Sequence, residues 1–215
     1  MNSTTPLQVL LVDDHAVVRD GLRSILEAAG DIFCSQTTCA EEALALLDQD
    51  AAMDVVLLDI TLPGMSGLDA LAEIHKRRPD LAVVLLSMHP EEQYAVRALR
   101  MGAAGYLSKS APSSEILKAI RGAASGTNYL SQHIAAQVAQ GVGFKDDLPL
   151  HESLSNREFE ILRMIGAGNA VSEIAHALGL SVKTVSTYRE RILDKMNLSN
   201  NFDIIRYVLQ EGLQN

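Results

Sequence analysis

The first 125 residues alternate short apolar runs with longer stretches that carry apolar residues at helical spacing, and this alternation constrains the fold most strongly. The runs are Val9–Val12, a weaker one at Ile32–Thr37, then Val55–Leu58, Val83–Leu86 and Gly105–Leu107. Between and after them, apolar positions recur every three or four residues, as in an amphipathic helix. Five strands alternating with five helices predict an α/β domain with one parallel sheet covered on both faces. The runs are almost continuously apolar, as expected of strands that are buried on both faces.

The regular pattern stops after about residue 125 and resumes near residue 153, so the chain is expected to have two domains. Between them, Ser131–Gln140 fits a short helix with Ser131 as its N-cap residue. The stretch GVGFKDDLPLHES then mixes glycine, proline and charged residues without periodicity, as expected of a linker. We therefore predict a first domain over residues 1–126, a linker over 127–152 and a second domain over 153–215.

The second domain has helical patterns only, and their order is informative. The stretch SNRE predicts a capping box, in which Ser155 is the N-cap residue and Glu158 lies three residues later. A short second helix, SEIAHAL, is ended by a glycine, and a longer basic helix follows over Ser181–Met196 with Asn197 as a left-handed C-cap. A last helix covers Phe202–Gln210. A short helix, a glycine-containing turn and a longer helix are the parts of a helix-turn-helix.

Charge is unevenly distributed along the chain, which bears on its partners. The formal net charge is −9, but residues 151–215 carry 7 Lys and Arg against 8 Asp and Glu and are almost neutral. Within them, Val182–Asn197 carries four basic residues against two acidic ones. A local basic stripe of this kind can bind DNA even on an acidic protein, so DNA remains a candidate partner.

Polar residues stand where the strand-like runs of the first domain end. Asp13 and Asp14 follow the first run, Asp59 the third, Ser87 the fourth and Lys109 the fifth. In a parallel α/β sheet these ends meet at one edge, where ligands bind. Three crowded carboxylates repel one another and require a cation, and oxygen ligands without cysteine or histidine suit Mg²⁺. A carboxylate nucleophile, a metal ion and a lysine for phosphate oxygens together predict a phosphoryl-transfer site.

On these residues, the segment 7–125 resembles the receiver domain of two-component response regulators throughout. The matching positions are an acidic pair, an acceptor with a following Pro-Gly, a hydroxyl residue, an aromatic residue and a lysine, namely Asp13, Asp14, Asp59, Pro63, Gly64, Ser87, Tyr106 and Lys109. The resemblance implies a flavodoxin-like, doubly wound (βα)5 domain. It also implies that Asp59 accepts a phosphoryl group from a histidine kinase beside Lys109, and that Ser87 and Tyr106 reorient on phosphorylation.

The same resemblance implies a Mg²⁺ site in the acidic pocket. Asp14, Asp59 and the backbone carbonyl of Thr61 would bind the ion directly, and Asp13 would bind it through water. A receiver assists only its own phosphoryl transfer and dephosphorylation, so an enzyme is not expected. His15, directly after the acidic pair, is interpreted as a local cap or surface residue in preference to a ligand.

Residues 153–213 resemble the LuxR-type DNA-binding domain of the NarL/FixJ class of regulators, through the stretches LSNRE, EIAHALGLSVKTVSTYRERILDKMNL and IIRYVLQEGL. The resemblance implies an all-α, four-helix helix-turn-helix domain whose helix Val182–Met196 lies in the major groove. The residues that would face base edges are Ser186, Thr187 and Glu190. Those that would contact phosphates are Lys183, Thr184, Tyr188, Arg189, Arg191 and Lys195. The family often has a serine or threonine cap where this chain has Ala170, and Asn169 is an alternative cap.

The leading hypothesis is a DNA-binding transcription regulator that is switched by phosphorylation of Asp59 and pairs as a homodimer. One alternative keeps the DNA-binding function but places the receiver under the control of a protein partner without phosphorylation. Another is a phosphatase with an aspartyl nucleophile, although such enzymes usually carry a second acid at the position of Thr61. The expected partners are double-stranded DNA, a histidine kinase and a second copy of the chain, with RNA polymerase as a further candidate.

The sequence also bears on location. It contains no apolar run long enough to cross a bilayer. The N-terminus lacks a basic segment before its first apolar stretch, which argues against a secretory signal. A cytoplasmic location without membrane contact is therefore expected.

Overall fold

A computed structural model describes residues 6–49, 52–88, 91–131, 134–136 and 149–213, with the side chains of residues 91–93 and 152 excepted. Contacts divide the chain into two compact units, Met1–Gln140 and Gly141–Asn215. The predicted boundaries at 1–126, 127–152 and 153–215 stay a prediction. None of the helices in the described ranges is long and apolar enough to cross a membrane.

The first unit is built on a five-stranded sheet whose described strand pairs are all parallel, in the order β2-β1-β3-β4-β5. The strands are β1 Leu7–Val12, β2 Ile32–Thr37, β3 Val55–Asp59, β4 Ala82–Ser87 and β5 Gly105–Ser108. The predicted parallel sheet is therefore confirmed, with four strands extending one or two residues beyond their apolar runs. Strand β3 includes Asp59 because this residue still pairs with Leu86 of β4.

Helices cover both faces of this sheet. They are α1 Ala16–Ala28, α2 Ala40–Asp48, α3 Gly67–Arg77, α4 Glu91–Arg100 and α5 Ser113–Ala124. Apolar residues of α1 and α5 pack with alternate residues of the strands in one buried cluster that includes Leu26, Leu57 and Ile120. The other residues of the central strands, such as Leu10 and Val56, are also fully buried. The alternating pattern in the sequence thus corresponds to a doubly wound α/β fold.

The strand order places a switch point between β1 and β3. The chain leaves β1 toward β2 at one edge and then returns to form β3 on the other side of β1. In open α/β sheets, ligands bind outside the carboxyl ends of the strands at such a point. The residues that occupy these two ends are Asp13 and Asp14, after β1, and Asp59, at the end of β3.

The second unit is helical throughout its described part. A short 3₁₀ turn at Leu150–Ser153 precedes α6 Asn156–Gly166, α7 Val171–Ala177, α8 Val182–Met196 and α9 Asn201–Gln210. Their shared core contains buried residues of all four helices, including Phe159, Ile174, Ile192 and Val208. The turn between α7 and α8 contains Gly179 with a positive φ of 63°. The predicted four-helix unit with a helix-turn-helix order is confirmed.

The predicted helix ends of this unit are also confirmed. Ser155 Oγ accepts a hydrogen bond from the Glu158 N–H, and the Glu158 carboxylate accepts one from the Ser155 N–H at 2.7 Å, which is a complete capping box. Ser181 Oγ accepts from the Thr184 N–H at 3.0 Å and caps α8. Asn197 ends α8 with φ 52° and ψ 45°, in the left-handed region.

Two further predicted caps have different outcomes. Ala170 is the N-cap residue of α7, so Asn169 does not replace it; the Glu173 carboxylate accepts a hydrogen bond from the Ala170 N–H at 2.7 Å. Helix α7 therefore has only one of the two hydrogen bonds of a capping box, the one from the N-cap N–H to the Glu173 carboxylate, because alanine has no side-chain acceptor for the other.

In the predicted linker helix, residues 134–136 are helical and the Ile134 N–H donates to Ser131 Oγ. Residues 132, 133 and 137–140 lie outside the described residues.

Candidate functional site

The polar residues predicted at the strand ends of the first unit form one pocket, here called the acidic pocket. Lys109 lies at its centre, with its Nζ 2.7 Å from Asp13 Oδ2 and 2.7 Å from Asp59 Oδ2. Both carboxylates are buried, since Asp13 is fully inaccessible and Asp59 is 1% exposed. The ends of β1, β3 and β5 therefore place two acids and one ammonium group in direct contact.

Backbone contacts hold this pocket in place. The Lys109 N–H donates to the Ser87 carbonyl at 2.8 Å, which links the ends of β5 and β4. The Thr61 N–H donates to Asp59 Oδ1 at 3.2 Å and orients the carboxylate. Helix α3 begins against the Asp59 backbone: a Cβ atom at Gly67 would lie 2.0 Å from the Asp59 carbonyl oxygen. Residue patterns do not indicate this role of Gly67, because it depends on two backbones that meet only in the folded unit.

Burial and neighbouring charges set the ionisation of the pocket. Burial raises the pKa of Asp59 from 3.8 to about 6, although the Lys109 ammonium opposes the shift. Burial acts to lower the pKa of Lys109, but Asp59 and Asp13 outweigh it and the pKa is raised. With Asp14 also at its rim, the pocket has more carboxylates than ammonium groups. This surplus of negative charge favours a bound cation.

The turn after β1 carries two contacts that the residue pattern does not predict. His15 Nδ1 lies 2.7 Å from Asp14 Oδ1 and 3.4 Å from Asp13 Oδ1. The Arg19 guanidinium donates to the Asp13 carbonyl at 2.7 Å. His15 is the N-cap residue of α1 by position, but its side chain makes no capping hydrogen bond. Its imidazole faces the acidic pair instead, which a residue-type pattern alone does not indicate.

Of the remaining predicted receiver residues, Ser87 lies beside this pocket and Tyr106 lies on the strand that leads to Lys109. Ser87 ends β4 and is 1% exposed, one residue beyond the Leu86 that pairs with Asp59. Tyr106 lies on β5 and is 3% exposed. The described residues include a group able to hold a metal ion, in which one ligand atom of each member lies within 4.8 Å of the ligand atoms of the others. The members are Asp13, Asp14, His15 and Asp59.

In the second unit, most residues predicted to bind DNA lie on the accessible side of α8. Five of them line a shallow groove on the helix surface, namely Lys183, Thr184, Thr187, Tyr188 and Arg191. The Arg191 guanidinium lies over the Tyr188 ring, 5.8 Å from its centroid. Glu190 is exposed, and Ser186 is half-buried with its hydroxyl donating to the Val182 carbonyl. The groove therefore combines cationic groups with hydroxyl groups, which suits an anionic backbone.

Two residues predicted to contact phosphates already have partners inside the second unit. Lys195 Nζ lies 2.6 Å from Glu158 Oε2, which joins the end of α8 to the capping box of α6. Burial acts to raise the pKa of Glu158, but hydrogen bonds from Lys195 and Ser155 outweigh it and hold the pKa below its ordinary value. Arg189 Nε donates to Asn201 Oδ1 at the start of α9. Neither partner is visible from the spacing of residues along α8.

Comparisons with known proteins agree with both halves of this arrangement. The sequence profile of the response regulator receiver domain matches residues 9–121, and that of the LuxR family of bacterial regulatory proteins matches residues 152–208. The response regulator UvrY of Escherichia coli strain K12 is 39% identical over 212 residues, which cover 97% of this chain and 96% of UvrY. The response regulator GacA of Pseudomonas aeruginosa PAO1 is 36% identical over 210 residues, with 96% and 97% covered.

A solved structure supports the same assignment across the whole chain. The crystal structure of the response regulator ChrA, from a heme-sensing two-component system, is similar with a TM-score of 0.53. The two chains are 30% identical, and 98% of this chain and 100% of ChrA are covered. Profile matches, relatives and fold all agree with the acidic pocket and the basic helix. The chain therefore belongs to the response regulators of two-component systems, in the NarL/FixJ class of transcription regulators that join a receiver domain to a LuxR-type DNA-binding domain.

Proposed function

We propose that a histidine kinase phosphorylates this protein on Asp59 and that phosphorylation switches its dimerisation and DNA binding. The observation that carries the proposal is the Asp59 carboxylate, buried at the end of β3 with Lys109 Nζ 2.7 Å away. Lys109, Ser87 and Tyr106 are the residues proposed to assist Asp59. The contact with Lys109 provides an ammonium group for the oxygens of an incoming phosphoryl group.

Asp59 would act as a nucleophile. Its pKa of about 6 leaves it largely ionised at neutral pH. A carboxylate oxygen forms the bond to phosphorus while the phosphorus–nitrogen bond to the kinase histidine breaks, and the released imidazole nitrogen takes up a proton. Lys109 then has an acyl phosphate in place of a carboxylate as its partner, so its charge stays paired.

Receiver domains bind Mg²⁺ in an acidic pocket, and the residues of this pocket fit such an ion. Asp14, Asp59 and the Thr61 carbonyl are proposed as direct ligands and Asp13 as a ligand through water. Hard oxygen atoms and a surplus of negative charge are the chemistry that this ion prefers. When bound, the ion neutralises charge on the phosphoryl oxygens.

The switch would act through Ser87 and Tyr106. A phosphoryl group on Asp59 adds charge and acceptor oxygens, which can accept a hydrogen bond from the Ser87 hydroxyl. Tyr106, 3% exposed, would move into the space that Ser87 leaves, and so change the surface near β5. The proposed result is a homodimer, because two helix-turn-helix units on adjacent half-sites read more bases than one unit does.

We propose that α8 is the recognition helix and that it lies in the major groove of DNA. Base edges would be read from Ser186, Thr187 and Glu190, and phosphates would be contacted from Lys183, Thr184, Tyr188, Arg189, Arg191 and Lys195. Arg189 and Lys195 stay in this set, although each would have to share or exchange its present partner.

We further propose the division into a receiver domain over residues 1–126, a linker over 127–152 and a DNA-binding domain over 153–215. We also propose a cytoplasmic site of action and RNA polymerase as a further partner.

The test uses the full chain with Mg²⁺ and a small phosphodonor. Intact mass should rise by one phosphoryl group, light scattering should show a dimer, and the affinity for a DNA site found by unbiased selection should rise about tenfold. Asp59→Asn should abolish all three changes. Asp20→Asn, which alters an exposed acid on α1, is the matched control and should respond like the wild type.

Two results would contradict the proposal in different ways. If Asp59→Asn responds to the phosphodonor as the wild type does, Asp59 is not the acceptor. If the wild type is phosphorylated but neither its mass in solution nor its DNA affinity changes, the receiver is governed in another way, such as by a protein partner.

A further inference from the structure

His15 lies at the rim of the acidic pocket and has no part in the phosphoryl transfer proposed above. Its Nδ1 is 2.7 Å from Asp14 Oδ1 and 3.4 Å from Asp13 Oδ1. Ligand atoms of Asp13, Asp14, His15 and Asp59 all fall within 4.8 Å of one another. The imidazole nitrogen thus belongs to the same group of ligand atoms as the proposed cation ligands.

The contact between His15 Nδ1 and Asp14 Oδ1, at 2.7 Å, has the length of a hydrogen bond or ion pair. A cation that binds both atoms would take the place of the proton between them, because an imidazole ligand must be neutral. The ring itself is 62% exposed, so it can adjust toward the pocket without disturbing packed neighbours.

The turn that carries His15 is held from several sides. The Arg19 guanidinium donates to the Asp13 carbonyl at 2.7 Å, and the His15 N–H donates to Asp13 Oδ1 at 2.8 Å. Lys109 holds the other oxygen of Asp13. His15 therefore starts from a backbone position that is fixed relative to the pocket, as expected of a ligand residue.

We propose that His15 supplies a nitrogen ligand to the cation of the acidic pocket, and that this pocket consequently prefers a first-row transition ion such as Mn²⁺ to Mg²⁺. The inference rests on the cation site proposed above and specifies its ligand. Imidazole nitrogen is a favourable ligand for transition ions, whereas Mg²⁺ prefers oxygen and retains water. A nitrogen in the group therefore discriminates between ions that the carboxylates alone would bind similarly.

The test measures metal binding by the full chain at one fixed pH, without any phosphodonor. Pulsed electron paramagnetic resonance of bound Mn²⁺ should show coupling to an imidazole ¹⁴N nucleus. His15→Asn retains an N–H donor for Asp14 but removes the imidazole, so the coupling should disappear and Mn²⁺ should bind about tenfold more weakly. Mg²⁺ affinity should remain unchanged in the same variant. His75→Asn removes the α3 imidazole that contacts the Gly102 carbonyl and is the matched control.

The outcomes separate the two proposals. If wild-type protein binds Mn²⁺ without nitrogen coupling, and Asp14→Asn abolishes that binding, the cation site stands and the role of His15 is wrong. If Mn²⁺ and Mg²⁺ do not bind to the wild type, the cation site itself is wrong. If His15→Asn behaves like the wild type while His15→Ala weakens both ions equally, His15 acts only by orienting Asp14, and the proposed nitrogen ligand is overturned.

Discussion

The acidic pocket and the basic helix α8 are the sites proposed for the two halves of the function, and they present charge in opposite ways. In the pocket, Lys109 and its two carboxylate partners are almost fully removed from solvent. On α8, Lys183 and Arg191 are exposed along a groove. Buried charges interact strongly and shift one another's pKa, whereas exposed charges are screened by water and salt. The charge arrangement of the pocket thus suits chemistry at one point, and that of α8 suits contact with an extended polyanion.

The two regions also differ in what holds them. The pocket depends on close backbone packing, since α3 begins directly against the Asp59 carbonyl. Helix α8 is held by its buried residues Val185, Ile192 and Met196 and by side chains at its two ends, where Ser181 caps it and Lys195 ties it to α6. Small changes should therefore disrupt the pocket severely, whereas changes on α8 should be graded.

The largest effect is expected from Gly67→Ala. The new Cβ would lie 2.0 Å from the Asp59 carbonyl oxygen and 2.8 Å from the Ile60 Cα, and both neighbours are backbone atoms that cannot turn aside. We expect a loss of about 3 kcal/mol or more in the free energy of unfolding, measured by denaturant titration of the full chain. Gly21→Ala on α1 is the control, because its Cβ would meet nothing within 4 Å. Equal stability of the two variants would show that the close approach is unimportant.

A second prediction concerns the pH dependence of stability that arises from Asp59. Its pKa is raised from 3.8 to about 6 on folding, so the stability that its proton confers is fully present below pH 3.8 and is lost as the pH rises through 6. Asp59→Asn has no charge to bury. Without divalent cations it should exceed the wild type by on the order of 2–3 kcal/mol at pH 7 and match it near pH 4. A difference that is constant over this range would refute the proposed ionisation.

The acidic pocket and α8 differ in how much of their structure can be predicted from the amino-acid sequence. The strand ends are predictable because apolar runs mark buried strands, and parallel topology brings their carboxyl ends to one edge. Asp13, Asp59, Ser87 and Lys109 can therefore be grouped from the amino-acid sequence alone. The contact of Gly67 with the Asp59 backbone cannot, because glycine has many uses and its partner is decided by tertiary packing.

For α8, the sequence predicts the helix and its caps but not which residue each side chain contacts. Spacing indicates which face of a helix points outward, and the predicted residues do lie largely on that face. It does not indicate which charges meet a partner from another helix. Lys195 contacts Glu158, 37 positions earlier in the chain, and Arg189 contacts Asn201, 12 positions later. The interpretation of His15 as a cap or surface residue likewise omits its contact with Asp14, because that contact depends on the local turn geometry.

The smallest effects are expected from substitutions of two lysines on α8 that the sequence alone does not distinguish. Lys183 is exposed in the groove, whereas Lys195 pairs with the buried Glu158 carboxylate. Lys183→Gln should leave the unfolding free energy unchanged and should reduce the slope of log affinity against log salt concentration for DNA by about 1. Lys195→Gln should reduce the unfolding free energy by roughly 1 kcal/mol, since an exposed lysine gives only a modest ion pair. It should lower the slope by less than Lys183→Gln does, because Lys195 must share or leave Glu158 in order to contact a phosphate.

Glu158→Gln separates the two roles of Lys195, the ion pair within the unit and the proposed contact with DNA. This variant should reproduce the stability loss of Lys195→Gln, because either change breaks the same link between α6 and α8. It should also free Lys195, so that the salt slope for DNA binding becomes steeper than in the wild type. If Lys195→Gln lowers the slope as much as Lys183→Gln does, the ion pair is exchanged for a phosphate on binding, and Lys195 belongs with the direct contacts. A stability loss confined to one of the two ion-pair variants would show that the link itself contributes little.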